Sequence, residues 1–331
     1  MGLRLVAAEL GLQTEQPGED LLLVLAHPLR LSVSPDAVPA IWLRWYSTLG
    51  PPLNPTFGYG FPTVRTLTRL SVTPVKALRL SHPSEVQLTA GGIPADRRFY
   101  LIDEADGLFD ATDHAALLQV VPHYDPEAER LRLSFPDGSD VEDAADRLDG
   151  TITTDFFGRM VDGHLVAGAF GAALSAYAGR PVRLARVTRD GDGQDVHPLT
   201  LVSSASIRDI GAHGDRPDLD GRRFRINLEI EGCEPYEEDS WDGELVRVGE
   251  ATIRVRGQIP RCIVTTLAPE TGEKDFKTLN MIARYRPRIG ERGGLPFGMY
   301  AEVVETGPVR VGDPVEPISA RPAGTMSDAG R

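Results

Sequence analysis

Apolar and polar positions alternate through much of this chain. Between residues 64 and 155, the runs VRTLTRLSVTPV, RRFYLIDEADG and RLRLSFPDGSDVEDA keep a period of two and end in turn residues, which predicts strands of a small β domain. Pro136, Asp137 and Gly138 form a turn signal inside the third run. The stretch 156–180 predicts a helix in its C-terminal half, stopped by Gly179 and Pro181, whose small residues suit close packing on a sheet. Further on, PVRLARV, RRFRINLEIEG, ELVRVGEATIRVRG and RCIVTTLAP read as strands. The segment 203–214 predicts a short helix, with Ser203 or Ser204 as N-cap and Gly211 or Gly214 as stop. The segment 275–285 predicts a second, with Phe276, Leu279 and Ile282 at helical spacing and Pro287 beyond it. Residues 297–317 read as two closing strands around a turn at Gly307 and Pro308.

Residues 1–62 have a different texture. Segments such as LRLVAAEL and DLLLVLAH suit strands. The segment 36–50 suits a helix that starts near Asp36, stops at Gly50, and places Ile41, Trp42, Trp45 and Leu49 on one face. Residues 51–62 have the composition of a linker. This region reads as an upstream extension, or as a docking element that offers its tryptophans to a partner. The expected organisation is an extension over 1–62, a β-barrel domain over 63–155, a second β-rich domain over 156–317, and a disordered tail over 318–331. The fold class expected is α+β, predominantly β, with two β-barrel-like domains and a few packing helices.

Composition narrows the function. The 331 residues suffice for two domains, and 34 glycines and 26 prolines without any repeat fit a turn-rich, strand-rich fold. The net charge of −13 argues against nucleic acid, which is bound by neutralising phosphates. An anionic ligand would need a local cluster of cations. No apolar run reaches the ~20 residues of a membrane helix, so no membrane partner is expected. The N-terminus lacks the pattern of a secretory signal, so the cytoplasm is the expected compartment. Two cysteines, Cys233 and Cys262, make no disulfide framework.

Several familiar motifs are missing: HExxH, paired CxxC, a phosphate-binding P-loop and GxSxG. GAFGAALSAYAG lacks the spacing of a nucleotide loop and reads as a packing helix. The seven histidines are dispersed, none at metal-ligand spacing. What remains is Cys262. A thiolate is a soft metal ligand, and Arg261 beside it would favour that form. By itself, such a cysteine reads first as a buried strand residue, which is what most free cysteines are.

Four separated stretches change that balance: PVKAL (74–78), ADRRFYLID (95–103), GRRFRINLEIEGCEPYEEDSW (221–241) and IPRCIVTTLAPETG (259–272). Together with FGMY and the V-x-VGD ending, they resemble, in order and over most of the chain from about Val64 to Pro317, the MOSC family (molybdenum cofactor sulfurase C-terminal domain) preceded by its N-terminal β-barrel partner. Within that family the resemblance is to the amidoxime-reducing proteins of mitochondria and their bacterial counterparts. It implies a molybdenum cofactor (Mo-molybdopterin), with Cys262 ligating the metal and Lys76, Arg97, Arg225 and Asn227 holding the pterin and its phosphate. It also implies reduction of a small N-oxygenated substrate at a site between the two domains. Electrons would come from a separate protein, a flavin reductase or small redox carrier, because this chain has no flavin motif and too few cysteines for an iron–sulfur cluster.

Two positions depart from those relatives. Ala77 stands where they have a serine, and Val196 with His197 replaces a hydroxyl pair. His197 can still donate to a phosphate or pterin group and is a candidate proton donor. Glu238, Asp239 and Trp241 read as structural, since carboxylates would repel a dianion, and Cys233 reads as a small core residue. Two other functions stay open: a sulfur carrier or molybdopterin-handling protein using a Cys262 persulfide, and a degenerate binding module.

Overall fold

A computed structural model describes residues 64–318. The strands and helix expected within residues 1–62, and the tail from 319 onward, lie outside the described residues. The architecture is α+β and mostly β, with a nearly closed barrel-like sheet and a half-barrel.

The larger sheet has seven strands, in the order Thr66–Leu70, Leu228–Glu231, Leu199–Ser203, Pro296–Glu305, Ala251–Pro260, Leu245–Val248 and Val315–Ile318. Its two outer strands approach each other: Leu67 N–H donates to Asp313 O at 2.9 Å, and Val315 N–H donates to Arg65 O at 2.8 Å. Edge groups that would otherwise be open are thereby paired. All neighbours are antiparallel except Leu199–Ser203 with Leu228–Glu231. A parallel pair needs a crossover connection, and helix α1 (Ser204–Ala212) lies within it. The Ser203 side chain caps that helix by accepting from Ser206 N–H, as one of the two expected N-caps should.

Side-chain alternation separates two cores. Leu201, Leu228, Ile253, Val255 and Met299 fill the barrel interior, whereas Val202, Phe224 and Phe297 face outward against α1 and helix α2 (Thr278–Tyr285). The second large sheet runs Leu108–Phe109, Phe99–Ile102, Arg183–Val187, Arg159–Val166, Leu148–Phe156. It draws strands from both sides of residue 155. Helix α3, placed earlier in the chain at Phe170–Ala178, buries Phe170 and Leu174 against it, and Gly179 ends the helix at φ +68. The GAFGAALSAYAG stretch is thus a packing helix.

Several local expectations give way. RCIVTTLAP is not a strand: the preceding strand ends at Pro260, and Ile263–Thr266 form a 3-10 turn. Thr265 and Thr266 hydroxyls donate to the carbonyls of Cys262 and Ile263, at 3.0 and 2.7 Å, replacing ladder bonds with local ones. In RRFRINLEIEG, Gly221–Phe224 is likewise a 3-10 turn, and the strand begins only at Leu228. The second closing helix starts at Thr278 rather than residue 275. Gly307 and Pro308 begin a short strand, Gly307–Arg310, that pairs with Glu85–Leu88, so the C-terminal region has three strands. The hairpin of Leu148–Phe156 with Arg159–Val166 was not expected at all.

Leu174 is fully buried in the half-barrel core. Leu174→Ala should lower unfolding free energy by about 2–5 kcal/mol, read from urea denaturation.

Candidate functional site

One cavity, about 130 Å³, gathers most of the residues singled out by sequence. Its wall includes Lys76, Arg97, His197, Arg225, Arg261 and Cys262. They arrive from turns and strand ends. Lys76 follows the Val75 bridge to Phe99, Arg97 ends a tight turn before Phe99–Ile102, and His197 precedes Leu199–Ser203. Arg225 lies between a 3-10 turn and a strand, and Cys262 sits just past the long strand ending at Pro260. Asn227 does not line this cavity. It is fully buried behind it, donating to Ser71 O at 3.0 Å and to Asp96 Oδ2 at 2.8 Å, and accepting from the Thr200 hydroxyl at 3.0 Å.

Asp96 organises this arrangement; it stands in the ADRRFYLID stretch, but no role was expected of it. Its carboxylate accepts from Thr73 N–H at 2.8 Å, from Gln194 Nε2 at 2.6 Å, from Asn227 Nδ2, and from the Arg97 guanidinium. Arg97 also donates to Arg225 O at 2.9 Å. The backbone is left-handed at Ala77, Arg97 and Arg225, with φ +74, +52 and +54. Non-glycine residues hold that conformation only where their surroundings over-determine it. Ala77 lines the cavity without the hydroxyl that a serine would bring.

The charges around the cavity are unequally matched. Lys76 pairs with Asp195 and also donates to Gly193 O at 3.1 Å. Burial would raise the Asp195 carboxyl, but Lys76 outweighs it and holds Asp195 below the usual carboxylate range. Arg225 and Arg261 have no carboxylate partner among the described residues. Arg225 donates to Leu78 O at 2.7 Å, and Arg261 to Phe297 O at 2.7 Å and Phe224 O at 3.0 Å. A further buried nitrogen of Arg261, Nη2, has no partner. Burial, with Arg97 close by, brings both guanidinium groups down to about 10. Two half-buried cations without counterions carry a desolvation cost, and an anion in the cavity would relieve it.

Cys262 is exposed and unpaired, and no disulfide joins it to Cys233. Its accessible surface opens onto the cavity while protein surrounds it on most other sides. That surrounding burial pushes the thiol up; the Val264 N–H and Arg261 pull it down without prevailing. Arg261 thus favours the thiolate, as expected, but burial outweighs it and the net shift is upward. Burial also raises the Tyr300 phenol, on the same wall, to about 12. His197 packs against the Tyr300 ring and faces Glu302, with Nδ1 3.3 Å from the carboxylate. Glu302 in turn accepts from Arg256 at 3.0 Å. Sequence reading passed over Tyr300 and Glu302, although both stand in the FGMYAE run.

The EEDSW segment lies away from the cavity wall. Glu238 accepts from the Ser206 hydroxyl at 3.0 Å, Asp239 pairs with Arg286, and Trp241 fills the barrel core. Cys233 packs at the edge of that core, its thiol pushed up to about 12 by burial.

A cationic cavity with one reachable thiol, set among strand ends of a barrel and a half-barrel, is chemically suited to an anion and offers a soft ligand. The chain belongs to the MOSC family: the MOSC domain matches residues 188–316, and the MOSC N-terminal beta barrel domain matches residues 64–174. Over 294 residues it is 30% identical to mitochondrial amidoxime reducing component 2 of Homo sapiens, covering 76% of this chain and 83% of that protein. The Rattus norvegicus protein of the same name is 36% identical over 127 residues, 37% of each chain. The solved YUAD protein of Bacillus subtilis aligns with a TM-score of 0.39 at 13% identity, covering 78% of this chain and 97% of that one. No helix among the described residues is long and apolar enough to cross a membrane.

Two measurements test this account. Asp96→Ala strands the Arg97 guanidinium and two buried amides, so unfolding free energy should fall by about 3–5 kcal/mol, read by chemical denaturation. Burial holds the Glu238 carboxyl above the usual range, so the folded state binds its proton more tightly than the unfolded chain. Its contribution to stability is full in acid and is lost as pH rises through the folded value. The stability of Glu238→Gln relative to wild type should therefore climb from about pH 4 to 7, measured as paired urea titrations.

Proposed function

We propose that this protein is a molybdenum-cofactor-dependent oxidoreductase that reduces N–O bonds in N-hydroxylated compounds with electrons from a separate donor protein. The observation that carries the reading is the pair of half-buried guanidinium groups of Arg225 and Arg261, without a carboxylate partner among the described residues, in a cavity that also exposes a thiol. The donor set fits a molybdopterin: fixed cations suit its phosphate, charge-assisted bonds of this kind being worth about 1.5–3 kcal/mol each, and a thiolate suits molybdenum. The name of the chain's relatives, amidoxime reducing component, supports the substrate class.

In this reading Lys76, Arg97 and Arg225 hold the phosphate and pterin, and Arg261 adds charge beside them. Asn227 acts from behind, by fixing Asp96 and through it Arg97. Cys262, as its thiolate, would be the residue that ligates the metal, since metal binding favours the deprotonated form. When bound, the cofactor supplies two-electron redox chemistry. Reduction of an N–OH group to N–H and water consumes two electrons and two protons. His197, held between Tyr300 and Glu302 on the wall, is the proton donor to the departing hydroxyl. Asp195 neutralises Lys76 until the phosphate competes for it.

Purification from a host that makes the cofactor tests this directly. Wild-type protein should contain stoichiometric molybdenum and pterin and should reduce N-hydroxy compounds with an artificial electron donor. Cys262→Ala should lose the metal and at least about 100-fold of the activity. A wild type free of metal and pterin would overturn the proposal; a sulfane label on Cys262 in that protein would identify a sulfur carrier, and neither signal a degenerate module.

A further inference from the structure

The cavity is cationic within, but its mouth carries apolar side chains in solvent. Phe157 is 65% exposed and Val196 60% exposed. Phe157 lines the cavity itself. It forms, with Gly158, the two-residue turn between paired Phe156 and Arg159, at φ +57 and +100. Such turns favour Asn, Asp or Gly, so local backbone preference does not explain an aromatic residue there. Core packing does not explain it either, because the neighbouring Phe156 is the one buried, with Lys76 and Arg159 over its ring at 5.2 and 5.8 Å.

The turn is also fixed in place. The Arg159 guanidinium donates to the carbonyls of Asp192, at 2.7 Å, and Gln194. These contacts clamp the hairpin tip to the loop that carries Val196 and His197. A strained, exposed aromatic is thereby held at the entrance to a charged cavity, beside the candidate proton donor.

We infer that Phe157 is a specificity-determining wall that receives the flat apolar body of an aryl N-hydroxy substrate while the N–O group enters the cavity. This rests on the reductase reading above. Aromatic residues stack on flat apolar groups, and the contact lies outside the cationic interior, so it selects among substrates without touching the cofactor-holding residues.

The test compares N-phenylhydroxylamine with hydroxylamine, which differ by one ring, on cofactor-loaded wild type, Phe157→Gly and Phe157→Trp. Glycine suits the positive φ, so the variant should fold, as circular dichroism and cofactor content would verify. Phe157→Gly should raise KM for N-phenylhydroxylamine about tenfold or more and leave hydroxylamine unchanged; Phe157→Trp should keep the aryl preference. Equal loss on both substrates, no change on either, or an effect seen only with a protein electron donor would overturn the inference, the last marking a donor-docking residue. If wild type reduces neither compound, the reductase reading fails instead. Saturation-transfer NMR then decides this inference alone: ring-proton signals of N-phenylhydroxylamine should show transfer from wild type and lose it in Phe157→Gly, and equal transfer in both would overturn it.

Discussion

Asp96 is the contact on which the site depends. A carboxylate removed from water must be fully hydrogen-bonded to be tolerated, and this one finds its donors at Thr73, Arg97, Gln194 and Asn227. Those residues come from segments far apart in the chain. Satisfying one anion therefore places the turn before Lys76, the left-handed turn at Arg97, the loop before His197 and the strand entry after Arg225. The positive φ values at Ala77, Arg97 and Arg225 are sustained by the same convergence.

Charge in the cavity is arranged with a similar economy. The chain as a whole is strongly acidic, at net −13, yet among the described residues the hydrogen bonds of Arg225 and Arg261 go to backbone carbonyls. Carbonyl dipoles orient a guanidinium and leave its charge uncancelled. The result is a local positive field inside a negative body, which distinguishes a ligand anion from the many carboxylates of the surface.

The parts that could be read in the sequence are those whose cause is local. Ser203 as an N-cap, Gly179 as a helix stop and the small-residue packing helix follow from nearby residues alone. The missed parts have distant causes. Asp96 is one acidic residue among 48, and its role depends on partners up to 131 positions away. The run after Cys262 looks like a strand because it is rich in β-branched residues, but Thr265 and Thr266 turn their hydroxyls back onto the chain. Arg261 appeared to act on its neighbouring thiol, whereas burial governs that thiol more strongly. The hairpin at 148–166 went unseen because its first strand is mostly exposed and buries few apolar side chains.

The pairing of early with late segments has a consequence for how the molecule is made. Thr66–Leu70 finds its neighbours at Leu228–Glu231 and around Asp313, and Glu85–Leu88 pairs with Gly307–Arg310. During synthesis from the N-terminus, these early strands emerge from the ribosome long before their partners exist. The half-barrel can condense while translation proceeds, because its strands lie within residues 99–187. The barrel, and with it the cavity, closes only when almost the whole described chain is out, so any ligand of the cavity can be held only from that point on.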